Sequence, residues 1–300
     1  MRLASALASL LLVASVASCA SRAPATDATL TNRPAQAGAQ QAELELRVRA
    51  LEAKLAEYDE ALQFLNKVYA QQKAGAGAGA ADDELDPNAI YAVDISHDIK
   101  AGKIDGPAKA PVTIVKVFDF TCPYCYRMAS VLDDVVKAYK GQVRAVYVDL
   151  IIHPQTASVA HHAACAAGKQ GKYVAFKHAV WEKGFAKYMD TRDASAMSEA
   201  SILQIAKDVG LDTKRLAQDM GGTACRELID ADQAEMSKFK VNATPTMFIN
   251  GKVIAGAVPV DALKKLVDEQ LAIVKASGAG ADYYDKVVLA TGQKQFTPAK

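Results

Sequence analysis

Between residues 42 and 73, apolar residues recur in alternating steps of four and three. The positions are Leu44, Val48, Leu51, Leu55, Tyr58, Leu62, Leu65 and Tyr69. A seven-residue repeat with two apolar positions is typical of a coiled coil. Charged residues flank this stripe where neighbouring copies in a parallel homo-oligomer would pair opposite signs. They are Arg47, Lys54, Glu52 and Asp59. The pattern predicts an oligomerisation helix, dimeric or trimeric, although one amphipathic helix packed on its own domain would show a similar stripe.

From residue 89 to residue 277 the pattern changes to that of a globular α/β domain. Two β-branched runs, PVTIVKVFDF at 111–120 and QVRAVYVDLII at 142–152, enclose a helical period. A short strand, a helix and a second short strand predict a parallel βαβ unit. A mainly helical stretch follows over about 156–240, and after it come a β-hairpin with an Asn-Gly turn and a last amphipathic helix. The order predicts an α/β fold with an inserted helical subdomain.

The segments beside these two regions have few large apolar residues. Residues 19–41 are rich in Ala, Pro, Thr and Gln and are predicted to be a flexible tether. Residues 74–88 are rich in Gly and Ala and then acidic, which predicts a linker. Residues 278–300 form a polar tail for which the pattern predicts no element.

Residues 1–18 have the layout of a secretory signal peptide, with Arg2, a short apolar run and a small-residue end. The sequence Val16-Ala17-Ser18-Cys19 resembles the lipobox of bacterial lipoproteins, which implies cleavage before Cys19 and lipidation of that cysteine. An ordinary signal peptide that ends near a cysteine is the alternative. A lipid anchor would hold the protein in the cell envelope, facing the periplasm, where disulfides persist. Ala20 and Ser21 follow Cys19 where an Asp could stand, and the resemblance to Gram-negative lipoproteins then implies the outer membrane.

Composition narrows the classes of partner. The chain of 300 residues is 51% hydrophobic, which is enough for a substantial core, and its formal net charge is +1. It therefore lacks the basic field that binds nucleic acid. No segment after the signal peptide reads as a transmembrane helix.

Cys122 and Cys125 form a CPYC pair just after the first predicted strand. A structural zinc site needs four ligands, and the sequence has neither a second such pair nor histidines at a matching spacing. A structural staple across so short a loop would constrain the unfolded chain little. Redox chemistry without a metal or cofactor is therefore predicted.

The position of the pair indicates how each sulfur acts. Cys122 falls at the predicted helix N-cap, where unpaired N–H groups and the helix dipole stabilise a thiolate and lower the pKa. Pro123 fits the first helical turn because its missing N–H costs nothing there, and Tyr124 completes the dipeptide. Cys125 is more shielded and is predicted to resolve a mixed disulfide held on Cys122.

The CPYC pair between strand and helix, with Ala-Thr-Pro-Thr at 243–246 before a hairpin, resembles the thioredoxin-fold DsbA-like family. The similarity spans about 93–276 and includes the helical insertion. It implies that Pro245 is cis and faces Cys122, and that the Thr244 backbone pairs with a substrate peptide. CPYC and Thr244 also resemble DsbG-like reductases and ScsC-like isomerases.

Two features stay open. Many members of the DsbA-like family have an acidic residue six positions before the first cysteine, where this chain has Lys116. A lysine there would either stabilise the thiolate or extend to the surface, and no role is assigned to it. Cys165 and Cys225 both fall in the helical block and are predicted to form a structural disulfide, with two buried free thiols as the alternative.

The predicted function is that of an exported oxidoreductase acting on protein disulfides, as an oligomeric isomerase or reductase. A coiled coil would hold two or three catalytic domains over one client at high effective concentration. The predicted partners are unfolded or misfolded exported proteins, a membrane protein that reduces or reoxidises the pair, and further copies of the chain. A DsbA-type oxidase is the alternative, followed by a redox-inactive chaperone and a structural envelope lipoprotein.

Overall fold

The computed structural model describes residues 40–55, 58, 59, 63 and 84–298, and the chain forms two compact units, 1–76 and 77–300. The predicted signal peptide, Cys19, most of the tether and most of the linker lie outside the described residues, as does the second half of the heptad pattern. Within the described ranges, no helix is both long and apolar enough to cross a bilayer.

The N-terminal unit contains a helix over residues 40–55. Its sequence is rich in Ala, Leu, Glu and Arg, which favour helix. The predicted apolar stripe faces solvent in the single chain, where Leu44, Leu51 and Leu55 are 63%, 61% and 66% exposed. The helix agrees with the heptad pattern, while the coiled coil itself stays a prediction.

A five-stranded mixed sheet forms the centre of the second unit. The strands are β1 (Ile104–Asp105), β2 (Val112–Phe118), β3 (Val143–Asp149), β4 (Thr246–Ile249) and β5 (Lys252–Ala255). Their spatial order is β1-β3-β2-β4-β5, with β2 and β3 parallel and the other neighbours antiparallel. Every side chain of β2 and β3 is buried, which explains why both strands read as continuous β-branched runs.

Helices described between residues 84 and 298 surround this sheet. They are α1 (Ser96–Lys100), α2 (Pro123–Ala138), α3 (Pro154–Gly168), α4 (Tyr173–Ala179), α5 (Ala186–Thr191), α6 (Glu199–Asp208), α7 (Thr213–Gly221), α8 (Thr223–Lys238), α9 (Val260–Ser277) and α10 (Leu289–Thr291). π-Helical turns occur at Val180–Phe185 and Tyr284–Val288, and 3₁₀ turns at Ala194–Met197 and Gly280–Asp282. Along the chain, α2 connects β2 to β3, and helices α3 to α8 come after β3 and before β4. The predicted α/β fold with a helical insertion is confirmed.

Local sequence explains several element boundaries. Asp212 caps α7 by accepting hydrogen bonds from the backbone N–H groups of Lys214 and Arg215. The β4–β5 hairpin turns at Asn250 and Gly251, which have φ angles of 46° and 83°. Asn and Gly are the residues that adopt this left-handed region most readily, so the Asn-Gly signal sets the hairpin register.

Two hydrophobic clusters lie against the sheet. The first contains Phe118, Phe120 and Trp181, whose rings pack at centroid distances of 5.0 to 5.8 Å. Cys122 and Cys125 belong to the same cluster. The cysteine pair is therefore part of the same hydrophobic core as the packed aromatic rings.

The second cluster includes residues from the end of the chain. Tyr284 and Val288 are fully buried with Tyr91, and the Tyr284 hydroxyl donates to Val93 O at 2.8 Å. Leu85 forms a bridge with Pro298. The folded domain thus extends beyond the expected limits of 89 and 277, and takes in the end of the 74–88 segment and most of the tail.

A disulfide joins Cys165 on α3 to Cys225 on α8, with a Cα–Cα distance of 5.7 Å. Both cysteines are buried. Of the two arrangements left open by the sequence, the structure has the bonded one, and it links two helices that are 60 residues apart in sequence.

Candidate active site

Cys122 is the N-cap residue of α2, in the loop that follows β2. Pro123 is the first helical residue, as its fixed φ and missing N–H favour. The Cys122 sulfur accepts a hydrogen bond from Cys125 N at 3.4 Å, in the place of the oxygen of an ordinary N-cap side chain. The sulfur therefore lies where the unpaired N–H groups of the helix point.

The buried Asp119 carboxylate holds the loop in this conformation. It accepts hydrogen bonds from Thr121 N at 2.7 Å and from the Thr121 hydroxyl at 2.9 Å. Its other oxygen accepts from Ile152 N at 2.7 Å and His153 N at 2.9 Å, in the loop after β3. One carboxylate thus joins the cysteine loop to the neighbouring loop.

The two sulfurs have opposite environments. Cys122 is 5% exposed and Cys125 is fully buried. A hydrogen bond from the Cys125 thiol, together with bonds from the Thr244 side chain and the backbone N–H groups of Cys125 and Tyr124, lowers the pKa of Cys122 to about 5. Burial raises the pKa of Cys125 above its usual range. At neutral pH, Cys122 is therefore the thiolate and Cys125 the thiol.

The Thr244–Pro245 peptide bond is cis and lies beside the cysteine pair. The Thr244 carbonyl oxygen is 3.3 Å from Cys122 Sγ. The segment that contains the cis proline is held on its other side by a hydrogen bond, which Gly256 N donates to Pro245 O at 2.8 Å. The structure thus brings together Cys122, Cys125, Thr244 and Pro245, while Cys165 and Cys225 form the disulfide in the helical insertion.

Exposed apolar side chains surround the loop. Tyr124 is 57% exposed, Ile152 is 41% exposed and Tyr126 is 36% exposed. The Arg127 guanidinium lies 5.4 Å from the Tyr124 ring centroid, a cation–π contact. A nucleophilic thiolate in such surroundings can attack a disulfide in an extended polypeptide.

The thioredoxin family model Thioredoxin_4 matches residues 100–269, more than half of the chain. The chain belongs to the thioredoxin family. The crystal structure of Wolbachia pipientis alpha-DsbA1 superposes with a TM-score of 0.51 at 17% identity, over 58% of this chain and 93% of that one. This likeness shows a shared fold.

Two kinds of protein are among the curated relatives of this thioredoxin domain. Na(+)/H(+) antiporter NhaA 3 of Salinispora tropica is 30% identical over 201 residues, which are 65% of this chain and 28% of the antiporter. Disulfide bond formation protein D of Bacillus subtilis is 25% identical over 187 residues, 60% of this chain and 82% of that protein. The chain spans about a quarter of the length of the antiporters it matches.

Lys116 lies in the middle of β2 of the thioredoxin sheet and is fully buried. The alternative in which it extends to the surface is therefore wrong. Its Nζ donates to Cys125 O at 3.1 Å and lies 4.8 Å from the Trp181 ring centroid. Sequence reasoning found the position but had no signal for the burial, because a lysine in a strand usually reaches solvent.

His161, on α3, forms a hydrogen bond to the backbone of the cysteine loop, a role that the sequence did not predict. Its Nε2 accepts a hydrogen bond from Phe120 N at 3.2 Å, so Nδ1 carries the proton and donates to Asp149 at 2.8 Å. The His-His-Ala-Ala-Cys run at 161–165 gives no hint of this role, since the partner is a backbone group two residues before Cys122.

Asp149 also belongs to a buried charge network away from the cysteines. His97, Asp98 and Asp232 place ligand-type atoms within 4.8 Å of one another, an arrangement that can suit a metal ion. The Lys103 ammonium, however, lies 2.6 Å from Asp98 and 2.6 Å from Asp232. This lysine supplies the positive charge, and the group is an ion-pair network.

Proposed function

We propose that the protein is an exported thiol:disulfide oxidoreductase that acts on protein disulfides, with Cys122 as nucleophile and Cys125 as resolving residue. One observation carries the proposal: the Cys122 sulfur sits at a helix N-terminus, with a pKa of about 5, beside the Thr244 carbonyl. A thiolate is the species that attacks a disulfide, and an accessible low-pKa cysteine is its usual source.

The reaction follows from the two environments. The Cys122 thiolate attacks one sulfur of a client disulfide, the client bond breaks, and a mixed disulfide forms on Cys122. Attack by Cys125 then gives the Cys122–Cys125 disulfide and releases the reduced client. If the released client thiolate instead opens a second client disulfide, the thiolate freed there can attack the client sulfur of the mixed disulfide. A new client disulfide forms, Cys122 leaves as the thiolate, and the enzyme returns to its reduced form with the client isomerised.

The client would lie across the loop that contains the cis proline. The exposed rings of Tyr124 and Tyr126 and the side chain of Ile152 offer apolar surface to an unfolded segment. The Thr244 backbone would pair with the extended client chain beside the cysteine. No folded partner surface is required, which suits clients that are unfolded or misfolded exported proteins.

We place the isomerase or reductase direction ahead of oxidation. The support is the helix over 40–55, whose Leu44, Leu51 and Leu55 are exposed in one chain and would be covered in a coiled coil. An oligomer brings several cysteine pairs to one client, which favours repeated exchange over a single oxidation. A membrane partner that keeps the pair reduced, and a lipid on Cys19 that holds the protein in the envelope, complete this proposal.

Oxidation is the second candidate function. The relative from Bacillus subtilis is named a disulfide bond formation protein, and it matches this chain over most of its own length. In that case the membrane partner would reoxidise the pair, and the N-terminal helix would serve as a spacer.

A refolding assay with a scrambled-disulfide client separates the two directions. A soluble form that starts after Cys19 is compared with its Leu51→Asp/Leu55→Asp variant, which places charges on the apolar stripe. If the protein is a multimeric isomerase, the variant becomes monomeric and loses client reactivation while its oxidation of a small dithiol stays unchanged per active site.

The matched control is Ala50→Asp/Ala53→Asp, which adds the same charges outside the heptad stripe and should leave mass and activity unchanged. Equal client oxidation by all three forms, without reactivation, would instead assign the protein as an oxidase. Absence of any thiol exchange would leave the chaperone or structural roles.

A further inference from the structure

A groove lies between α2 and the π-helical turn at Val180–Phe185. Its volume is about 330 Å³, a size that suits a small ligand. The described residues that line it include Tyr126, Arg127, Ser130, Asp133, Trp181 and Glu182. Trp181 and Glu182 belong to the π-helical turn, a rare element that occurs frequently at functional sites. The groove is therefore a candidate binding site.

The groove begins one helical turn from Cys122. Tyr126, Ser130 and Asp133 follow Cys122 at steps of four, four and three residues, so they lie on one face of α2. At a rise of 1.5 Å per residue, Tyr126 is about 6 Å and Ser130 about 12 Å from Cys122 along the helix axis. A ligand whose ends are roughly 6–12 Å apart can therefore occupy the groove with one end and reach Cys122 with the other.

The Trp181 side chain gives the groove a buried donor. Trp181 is 1% exposed, and its indole N–H has no hydrogen-bond partner among the described residues. Such donors are uncommon in folded proteins, because the bond to water is lost and no other bond replaces it. An acceptor atom of a ligand in the groove would complete this bond.

Two charges of opposite sign line the same groove and have no ion-pair partner in the described chain. Neither the Arg127 guanidinium on α2 nor the Glu182 carboxylate on the π-helical turn forms a salt bridge there. Asp133, by contrast, lies 3.4 Å from Lys177 Nζ and 3.3 Å from His178 Nε2. The groups left for a ligand are one cation, one anion and the indole N–H.

These groups complement an α-amino-acid head group, which carries a carboxylate and an ammonium on one carbon. The carboxylate would accept hydrogen bonds from the Arg127 guanidinium and from Trp181 Nε1, and the ammonium would donate to the Glu182 carboxylate. Hydrogen bonds between charged groups are among the strongest in proteins. A ligand with one sign of charge would leave one wall of the groove unpaired.

We propose that the groove binds the α-amino-acid head group of a small thiol or of its disulfide, and thereby holds the sulfur of that molecule at Cys122. This inference rests on the proposed function of the cysteine pair and adds a low-molecular-weight substrate to it. In a γ-glutamylcysteine thiol, the head group and the sulfur are about two residue lengths apart, roughly 7 Å, which matches the distance from Cys122 to the groove. In cystine, the head group is on the same residue as the sulfur and is too close to it.

The exchange balances in atoms and electrons. The small thiolate attacks Cys122 Sγ of the oxidised pair, the Cys122–Cys125 bond breaks, and Cys125 leaves with the electron pair and takes a proton from water. A second small thiolate attacks the small-molecule sulfur bound to Cys122, and Cys122 leaves as the thiolate. The pair is reduced, and the two small thiols are oxidised to one disulfide. The reverse reaction oxidises the pair, so the same groove serves both directions.

The test measures how fast the full-length reduced protein reacts with glutathione disulfide, with cystine and with 2-hydroxyethyl disulfide, which is neutral and has no head group. Acid quench and mass spectrometry follow the mixed disulfide on Cys122. For each variant, the first two rates are divided by the rate with 2-hydroxyethyl disulfide, so that a change in the reactivity of Cys122 itself cancels. Arg127→Gln and Glu182→Gln should each lower the glutathione ratio at least about threefold, and Trp181→Phe about tenfold. The cystine ratio should stay unchanged.

Two exposed charges outside the groove give matched controls. Lys137→Gln on α2 and Asp190→Asn on α5 remove one positive and one negative charge, and both ratios should stay unchanged. Because Trp181 packs in the aromatic core, urea unfolding of Trp181→Phe reports whether that variant folds. Arg127→Gln and Glu182→Gln change exposed side chains, so they decide the outcome if Trp181→Phe does not fold.

An unchanged glutathione ratio in either Arg127→Gln or Glu182→Gln would overturn the head-group site, while reaction of the wild type with 2-hydroxyethyl disulfide would still uphold the proposed oxidoreductase function. A cystine ratio that falls as far as the glutathione ratio would overturn the site too, because the charges would then act at a distance. If these two variants lose reactivation of a scrambled client with both ratios unchanged, the groove holds a client segment and the proposal fails. If the wild type reacts with none of the three disulfides, the oxidoreductase function itself fails, and the groove proposal fails with it.

Discussion

The Cys122 sulfur lies 3.3 Å from the carbonyl oxygen of Thr244, although the two residues are 122 positions apart in sequence. One comes from the cap of α2 and the other from the loop before β4. The β2–β4 pairing brings these loops together, since Val117 is opposite Thr246 in that register. In the proposed function, a client sulfur bonded to Cys122 would therefore lie beside the Thr244 backbone, where the client chain is proposed to bind.

Serine substitutions should separate the roles of the two cysteines. Cys122→Ser should abolish exchange with client disulfides, because it removes the sulfur whose pKa is about 5. Cys125→Ser should accumulate a mixed disulfide between Cys122 and the client, because the resolving sulfur is absent. Non-reducing electrophoresis and mass spectrometry of the adduct check both outcomes. A stable adduct on Cys122→Ser that involves Cys125 would reverse the assignment.

The reactivity of Cys122 should titrate far below that of a free thiol. Alkylation of the reduced protein by iodoacetamide should have a midpoint near pH 5, where the pKa of Cys122 lies. The pKa of a free cysteine is about 8.5, so folding favours the thiolate. The resulting stabilisation of the reduced protein should be complete above about pH 8.5 and disappear as pH falls through 5. Urea unfolding of the reduced wild type and of reduced Cys122→Ser at several pH values gives their free energies of unfolding. The difference between these free energies measures the stabilisation by the thiolate at each pH. A difference that does not depend on pH would contradict a thiolate in the folded state.

The core of the fold could be predicted because its local signals agree with each other. The β-branched run of β2 is buried at all seven positions, and the Asn250-Gly251 turn joins β4 to β5 as expected. The position of Cys122 at the start of α2 followed from a strand, a cysteine and Pro123 in succession.

Other features depend on long-range contacts that sequence patterns do not encode. Tyr284 and Val288 stand in a polar tail, and only their packing with Tyr91 shows them to be core residues. The burial of Lys116 and Lys103 was not expected because lysine usually reaches solvent. Pairing of two cysteines depends on their Cα separation, which no spacing in the sequence gives.

Removal of the Cys165–Cys225 disulfide should lower the stability of the domain. The bond closes a loop between residues 60 apart in sequence, and loops of this size are typically worth about 2–4 kcal/mol. Urea unfolding of the Cys165→Ala/Cys225→Ala double variant should show this loss, increased by the volume that the buried sulfurs leave empty. Mild reductant in the absence of urea should reduce the Cys122–Cys125 pair and leave the buried bond intact. A double variant as stable as the wild type would contradict a structural role for the disulfide.

Asp119→Asn should destabilise the cysteine loop. The carboxylate accepts hydrogen bonds from Thr121 and from Ile152 N and His153 N, and an amide nitrogen cannot accept on one of its two sides. Loss of hydrogen bonds to a buried charged group costs about 1.5–3 kcal/mol. Unfolding by urea measures the cost, and the rate of Cys122 alkylation reports the loop. Asp134→Asn, which neutralises an exposed carboxylate on α2, is the control and should change neither.

Lys116→Met should stabilise the folded protein at neutral pH. Burial lowers the pKa of Lys116 to about 8 in the folded protein, whereas a lysine in an unfolded chain has a pKa of about 10.4. Between these values the unfolded chain binds the proton more than the folded one, so the wild type gains stability as pH rises. The advantage of the methionine variant should thus be full below pH 8, on the order of 3 kcal/mol, and shrink toward pH 10.4. Urea unfolding of both reduced proteins near pH 7 and near pH 9.5 tests this. A difference of the same size at both pH values would mean that Lys116 carries no strained charge in the folded state, and that packing alone distinguishes the two side chains.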